Sequence, residues 1–253
     1  YDTSWKEINR IELSKLIAEG DMVLCADISE DGNTLALSTF DGLYSHDIAS
    51  ETTTRIVDCA AGVQADGLEL VGMERISFTD NSHIAFLGGG WALPVAQGVQ
   101  SETLYGTLAT DGSGLTFKKP SGYSIGEELF VRGGKLFLPE NFTKADGKLL
   151  TVDLNSGKET IYPLSYGGEG KDGVYVSDKG GAFATAALGG SELVVRVYDN
   201  NGNLMKTETL GNFDEFQLAR TPVILLLEDS RTCIVLTGTR QDDINTGVTT
   251  FNY

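Results

Sequence analysis

MVLCADISEDGNTLALSTFDGLYSHDIASETTTRIVDC, residues 22–59, is the stretch that decides the fold. It reads as four short strands joined by tight turns. Met22–Ser29 is largely apolar and stops at Glu30-Asp31-Gly32-Asn33, a strong turn signal. Thr34–Phe40 is a second strand, with Leu35 and Leu37 on one face because side chains alternate sides along a strand. Asp41-Gly42 reads as a two-residue hairpin turn, since both residue types tolerate the positive φ such a turn needs. Leu43–Ile48 is a third strand, Ala49-Ser50-Glu51 turns again, and Thr52–Val57 is a β-branched fourth. No helical period interrupts the block.

The same plan recurs downstream. Blades are expected near 22–59, 73–119, 126–164, 173–210 and 222–253, with first strands about 50 residues apart, the period of propeller repeats. A four-stranded sheet cannot cover both of its faces alone, so radial packing of copies is the natural solution. The last copy is one strand short. Residues 3–13 precede the first block and supply a candidate. Paired with Gly247–Tyr253, they would close the ring and leave no long edge. The competing reading of this segment is a helix, because Ser4-Trp5-Lys6-Glu7 fits a capping box. A short helical turn near Ser14–Glu19 suits either reading. The expected fold is therefore all-β: a single-domain, five-bladed β-propeller of four-stranded antiparallel blades, closed by the N-terminal strand.

Three segments carry a family likeness. They are Ser29-Glu30-Asp31-Gly32 with Leu35-Ala36-Leu37, Val152-Asp153-Leu154-Asn155-Ser156-Gly157-Lys158, and Val197-Tyr198-Asp199-Asn200-Asn201-Gly202-Asn203. On these the chain resembles the degenerate β-propellers of the WD40-like and YVTN-like kind. The Gly-His and Trp-Asp signatures of WD40 blades are absent. The resemblance implies a fold and no particular activity.

Composition narrows the function classes. The 253 residues are ample for one core, and 31 Gly against 5 Pro suit turns built from Asp-Gly and Asn-Gly. A formal net charge of −17 repels phosphate backbones and anionic lipid, so no nucleic-acid partner is expected. No apolar run is long enough for membrane insertion. Cys25, Cys59 and Cys233 are odd in number and widely spaced, which excludes a CxxC motif. Cys25 and Cys233 fall in blades that a closed ring would make neighbours, so a disulfide competes with buried free thiols, the favoured reading. The low basic content and Gly-Asp-Asn-rich turns suit a secreted or cell-surface protein. Asn141-Phe142-Thr143 is a glycosylation sequon with meaning only in a secretory host.

Loop lengths point to one rim. The turns between first and second and between third and fourth strands are tight. The other connections read as long: 60–72, 88–101 (GGGWALPVAQGVQS), 165–172, 211–221 and 239–246. Long loops on a rigid scaffold are where binding sites usually lie. Trp91, after three glycines, and Tyr166 are the candidate binding residues. Trp91 can stack on a sugar or anchor a protein partner, or it can fold back as a plug.

Several motifs look chemical. Gly122-Tyr123-Ser124-Ile125-Gly126 matches GxSxG, but a nucleophile elbow needs a helix after it and a His later in the chain. Gly168-Glu169-Gly170-Lys171-Asp172-Gly173 matches GxGxxG but opens a strand. Asp199-Asn200-Asn201-Gly202-Asn203 resembles a calcium loop without the Gly and Glu at its sixth and twelfth positions. His46 and His83 are isolated. No catalytic residue, metal site or cofactor is expected. The leading expectation is a non-enzymatic binding module that holds a protein or glycan partner. The alternative is a carbohydrate-active hydrolase or lyase using channel carboxylates such as Asp27 and Glu127 or Glu128.

Overall fold

A computed structural model of the chain describes residues 10–93, 102–120, 123, 125–126, 128–140, 147–164, 173–189, 192–211, 222–241 and 243–253. The chain divides into two compact units, 1–122 and 123–253.

The first unit holds two antiparallel meanders. Sheet 1 is β1 (Val23–Ile28), β2 (Thr34–Thr39), β3 (Gly42–Asp47) and β4 (Thr52–Asp58), in that order. Each strand lies within a residue or two of its place in the alternation. The Phe40-Asp41 corner differs in its chemistry. Gly42 does not have positive φ. It is required by close approach, because a Cβ there would stand 2.1 Å from the Val57 carbonyl oxygen. Sheet 2 has five strands: β5 (Val63–Ala65), β6 (Leu68–Phe78), β7 (His83–Ala92), β8 (Glu102–Ala109) and β9 (Thr116–Lys118).

Sheet 2 corrects two of the loops expected from sequence. The connection 60–72 is mostly the β5–β6 hairpin, turning at Asp66 (φ 50°) and Gly67 (φ 75°). Two consecutive positive φ values are what a type I′ turn needs, and Asp-Gly supplies them. Gly88–Trp91 is not loop either. These residues continue β7: Gly88, Gly89 and Gly90 pair with both β6 and β8, and Trp91 pairs with β6. The glycines serve close packing: a Cβ on Gly88 would lie 2.2 Å from the Gly72 carbonyl oxygen, and one on Gly90 would lie 2.3 Å from that of Glu69. Register shifts in β6, between Leu70 and Gly72 and between Met73 and Arg75, mark bulges that bend this long hairpin.

The two sheets pack through Leu43, Val57, Met73, Ile84, Phe86 and Leu104. Polar struts cross the same interface. Phe78 N–H donates to Asp27 Oδ2 at 2.8 Å, and Asp31 N–H donates to Asn81 Oδ1 at 3.1 Å. These partners are separated by 51 and 50 residues, the repeat period, so each copy grips the equivalent place on the next. The opposite face of sheet 1 is covered by the segment before it. Ile11, Leu13, Leu16 and Ile17 pack on Leu35, Leu37 and Tyr44, with a 3₁₀ turn at Leu13–Lys15. Of the closing strand expected at 3–13, residues 3–9 lie outside the described residues.

The second unit holds three meanders. Sheet 3 is β10 (Phe130–Arg132), β11 (Lys135–Pro139), β12 (Lys148–Asp153) and β13 (Glu159–Pro163). Sheet 4 is β14 (Gly173–Val176), β15 (Ala182–Gly189), β16 (Glu192–Asp199) and β17 (Leu204–Leu210). Sheet 5 is β18 (Val223–Leu227), β19 (Thr232–Gln241) and β20 (Asp243–Asn252). The expected loop 239–246 is mostly strand: β19 and β20 pair from Thr232↔Asn252 to Gln241↔Asp243. Phe137, Leu149, Phe183 and Tyr198 join sheets 3 and 4, and Ala184, Val195, Ile224 and Val235 join sheets 4 and 5. Period-spaced struts recur here too. Glu228 Oε1 accepts from Ser177 Oγ at 2.5 Å and from Gly181 N–H at 2.7 Å, and Lys179 Nζ meets Asp229 at 2.5 Å.

Candidate functional site

Trp91 sits near the distal end of the β6–β7 hairpin, half-buried. Strand alternation sorts its neighbours. Gly88 and Gly90 face the core, where Cβ atoms would meet the Leu70 and Leu104 side chains. Gly89 and Trp91 therefore share the other face. Glu69 lies directly opposite Trp91, and Thr103 lies opposite Gly89. The indole shares its face with Gly89, which Glu74 Oε1 approaches, and the Glu69 carboxylate and Thr103 hydroxyl stand at the adjoining register positions. Such a surface can stack a flat apolar face and hydrogen-bond its rim. Tyr166, the second candidate, lies outside the described residues.

A cleft of about 340 Å³ opens in the same unit at the other, tight-turn end of sheet 1. Arg10, Lys15, Leu16, His46, Ile48 and Glu51 are among its lining residues. His46 is buried on β3 with Nδ1 2.9 Å from Thr53 Oγ1. Glu51 adopts φ 54°, a left-handed conformation unusual for a side-chain-bearing residue. Reading His46 as isolated missed this cleft. The segment that forms its other wall becomes adjacent only through tertiary packing.

The remaining chemical candidates resolve into structural roles or lie outside the described residues. Asp27 braces two sheets: Oδ2 accepts from Phe78 N–H, and Oδ1 accepts from Ile28 N–H at 2.9 Å. Glu127 and Ser124 lie outside the described residues, as does most of the GxGxxG match, whose last glycine opens β14. Glu128 is exposed. The Tyr175 hydroxyl is pushed up to about 12, by burial first and by the Glu128 charge second. Asp199 caps a hairpin turn, accepting from the backbone of Asn201 at 2.8 Å and of Asn203 at 2.9 Å. His83 bonds to Asp80 at 3.0 Å and does not meet His46 in one site. Among the described residues no group of three His, Cys, Asp or Glu side chains could hold a metal ion. All three cysteines are free, and burial pushes the Cys59 thiol up to about 11 and that of Cys233 to about 12.

The tight-turn ends share one device. Asp31, Asp47, Asp111 and Asp153 are each held below the ordinary carboxylate range, in every case first by a hydrogen bond from a nearby serine. At Asp80 and Asp199 burial pushes the other way and is outweighed by hydrogen bonds from Ser82 and from Asn203. These carboxylates build turns and are occupied in doing so. No helix among the described residues is long and apolar enough to cross a membrane.

No protein-family model matches the chain, and no curated protein matches it. Solved structures do. The chain is similar to Porphyromonas gingivalis dipeptidyl peptidase 4, with 15% identity and a TM-score of 0.63, over 93% of this chain and 38% of that one. It is similar to Kuenenia stuttgartiensis hydrazine synthase, with 12% identity and a TM-score of 0.58, over 96% of this chain and 66% of that one. It is also similar to the β-propeller domain of Myceliophteria thermophila Cps50 (Swd1), with 12% identity and a TM-score of 0.52, over 93% of this chain and 75% of that one. The chain thus spans less than two thirds of the first two. At these identities the likeness establishes architecture alone: an all-β chain of antiparallel meanders with the fold of the β-propellers.

Proposed function

We propose that this chain is a non-enzymatic binding module that holds a protein or glycan partner at the Trp91 end of sheet 2. One observation carries the proposal: a half-buried tryptophan on a strand extension, on one face with Gly89 and opposite Glu69. Large aromatic rings with a polar rim are the usual anchors of such sites. The hydrolase alternative loses support at Asp27, whose two carboxylate oxygens are engaged by backbone N–H groups. The structural neighbours include a peptidase, a synthase and a Swd1 propeller domain, so the fold favours no chemistry. The test is a glycan array, with pull-down in parallel, using the full chain beside Trp91→Ala. Circular dichroism confirms that the variant folds. A partner held by the full chain and lost by the variant supports the module. A partner held equally by both removes Trp91 from the site.

A further inference from the structure

We propose that the cleft beside His46 binds a free α-amino acid with an apolar side chain, held as its zwitterion. The cleft encloses about 340 Å³, within the size range of small-molecule sites and at its small end. Its most buried lining residue is His46, only 4% exposed, with Nδ1 2.9 Å from Thr53 Oγ1. That bond fixes the imidazole and leaves Nε2 as the ring nitrogen for a bound molecule. This site is separate from the Trp91 end of sheet 2.

The lining sorts by chemistry. Ile11, Leu16 and Ile48 supply apolar surface. Lys15 and Glu12 bridge each other along the covering segment, so that pair adds little net field. Arg10 on the same segment and Glu51 on the β3–β4 turn then place opposite charges on the two walls. The four charges cancel, and the chain's net charge of −17 opposes a net anion. A zwitterion complements this lining: its carboxylate toward Arg10, its ammonium toward Glu51, its side chain on the aliphatic surface.

Glu51 is the residue whose presence asks for a ligand, and the repeat supplies an internal comparison. The turn after β3 and the turn after β12 are built alike: Ser50 N–H donates to Asp47 Oδ1 at 2.7 Å, and Ser156 N–H donates to Asp153 Oδ1 at 2.8 Å. The residue after the serine is left-handed in both. In sheet 3 it is Gly157, at φ 66°, and in sheet 1 it is Glu51, at φ 54°. Glycine takes that conformation without steric cost, and glutamate does not. Closing the hairpin therefore gives no reason for a carboxylate there, whereas an ammonium group in the adjoining cleft does.

The test is isothermal titration calorimetry of the full chain at pH 7 with L-leucine, L-isoleucine and L-phenylalanine. The amide of each lacks the carboxylate, and the N-acetyl form of each lacks the ammonium. The expected result is saturable binding of at least one amino acid with a Kd below about 1 mM, weakened at least about tenfold when either charge is removed from it. Glu51→Gly should bind that amino acid at least about tenfold more weakly, yet unfold at no lower a urea concentration than the parent, because glycine suits the position. No saturation by any of the three up to about 10 mM would overturn the proposal. So would equal binding of the N-acetyl form, or unchanged binding by Glu51→Gly.

Discussion

Replacing Glu228 with alanine should loosen sheet 5 from sheet 4. One carboxylate oxygen there accepts from Ser177 Oγ at 2.5 Å and from Gly181 N–H at 2.7 Å. Hydrogen bonds to charged groups contribute about 1.5–3 kcal/mol each. Two facts reduce the sum. Ser177 Oγ keeps a second partner, the Ala182 carbonyl at 2.8 Å, and Glu228 is half-exposed, so solvent screens its charge. The Gly181 N–H is the group left without its acceptor. The expected loss is about 2 kcal/mol, and Glu228→Gln, which keeps an acceptor oxygen, should lose about half of that. The assay is urea unfolding at pH 7 followed by circular dichroism. With a slope of about 2 kcal/mol per molar, the alanine midpoint should fall by about 1 M. A double-mutant cycle with Ser177→Ala should show coupling of about 1 kcal/mol. An alanine variant within about 0.5 kcal/mol of the parent would refute the strut as a source of inter-sheet stability.

Two further outcomes follow from groups already described. The turn aspartates Asp31, Asp47, Asp111 and Asp153 have folded-state values below their unfolded ones, so their stabilisation is present above about pH 4 and is lost as pH falls through the folded values. Urea midpoints measured from pH 7 down to pH 2.5 should therefore drop below about pH 4, and Asp153→Asn should flatten that drop; a profile unchanged by the variant would disprove its share. Buried Cys59 and Cys233, with thiols raised to about 11 and 12, should react slowly with a thiol reagent at pH 8 in the native protein, after half-buried Cys25. Three thiols should titrate in denaturant without reductant, and any fewer would reveal a bond.

Local chemistry was legible in the sequence because it is local. The period of two placed β1 to β4, and Asp-Gly and Asn-Gly placed the turns at Asp31-Gly32 and Asn201-Gly202, where Gly32 and Gly202 take positive φ. The repeat of about 50 residues foretold contacts such as Asp27 with Phe78, at least in their spacing. Other features were decided only by tertiary structure. Gly88, Gly89 and Gly90 read as loop by composition, yet form strand; a Cβ on Gly88 or Gly90 would stand 2.2 or 2.3 Å from a carbonyl oxygen of β6, a neighbour that only packing supplies. The Asp66-Gly67 hairpin was concealed inside an expected linker, its flanking strand β5 being only three residues long. Asp27 looks like a free acid until sheet 2 presents the Phe78 N–H to it. His46 gains a cleft only when Arg10–Leu16 fold over sheet 1. Strand period and turn type depend on φ, ψ and nearest neighbours, which a sequence states outright. The use of a glycine, a carboxylate or an imidazole depends on what stands across the interface, and only packing brings that residue there.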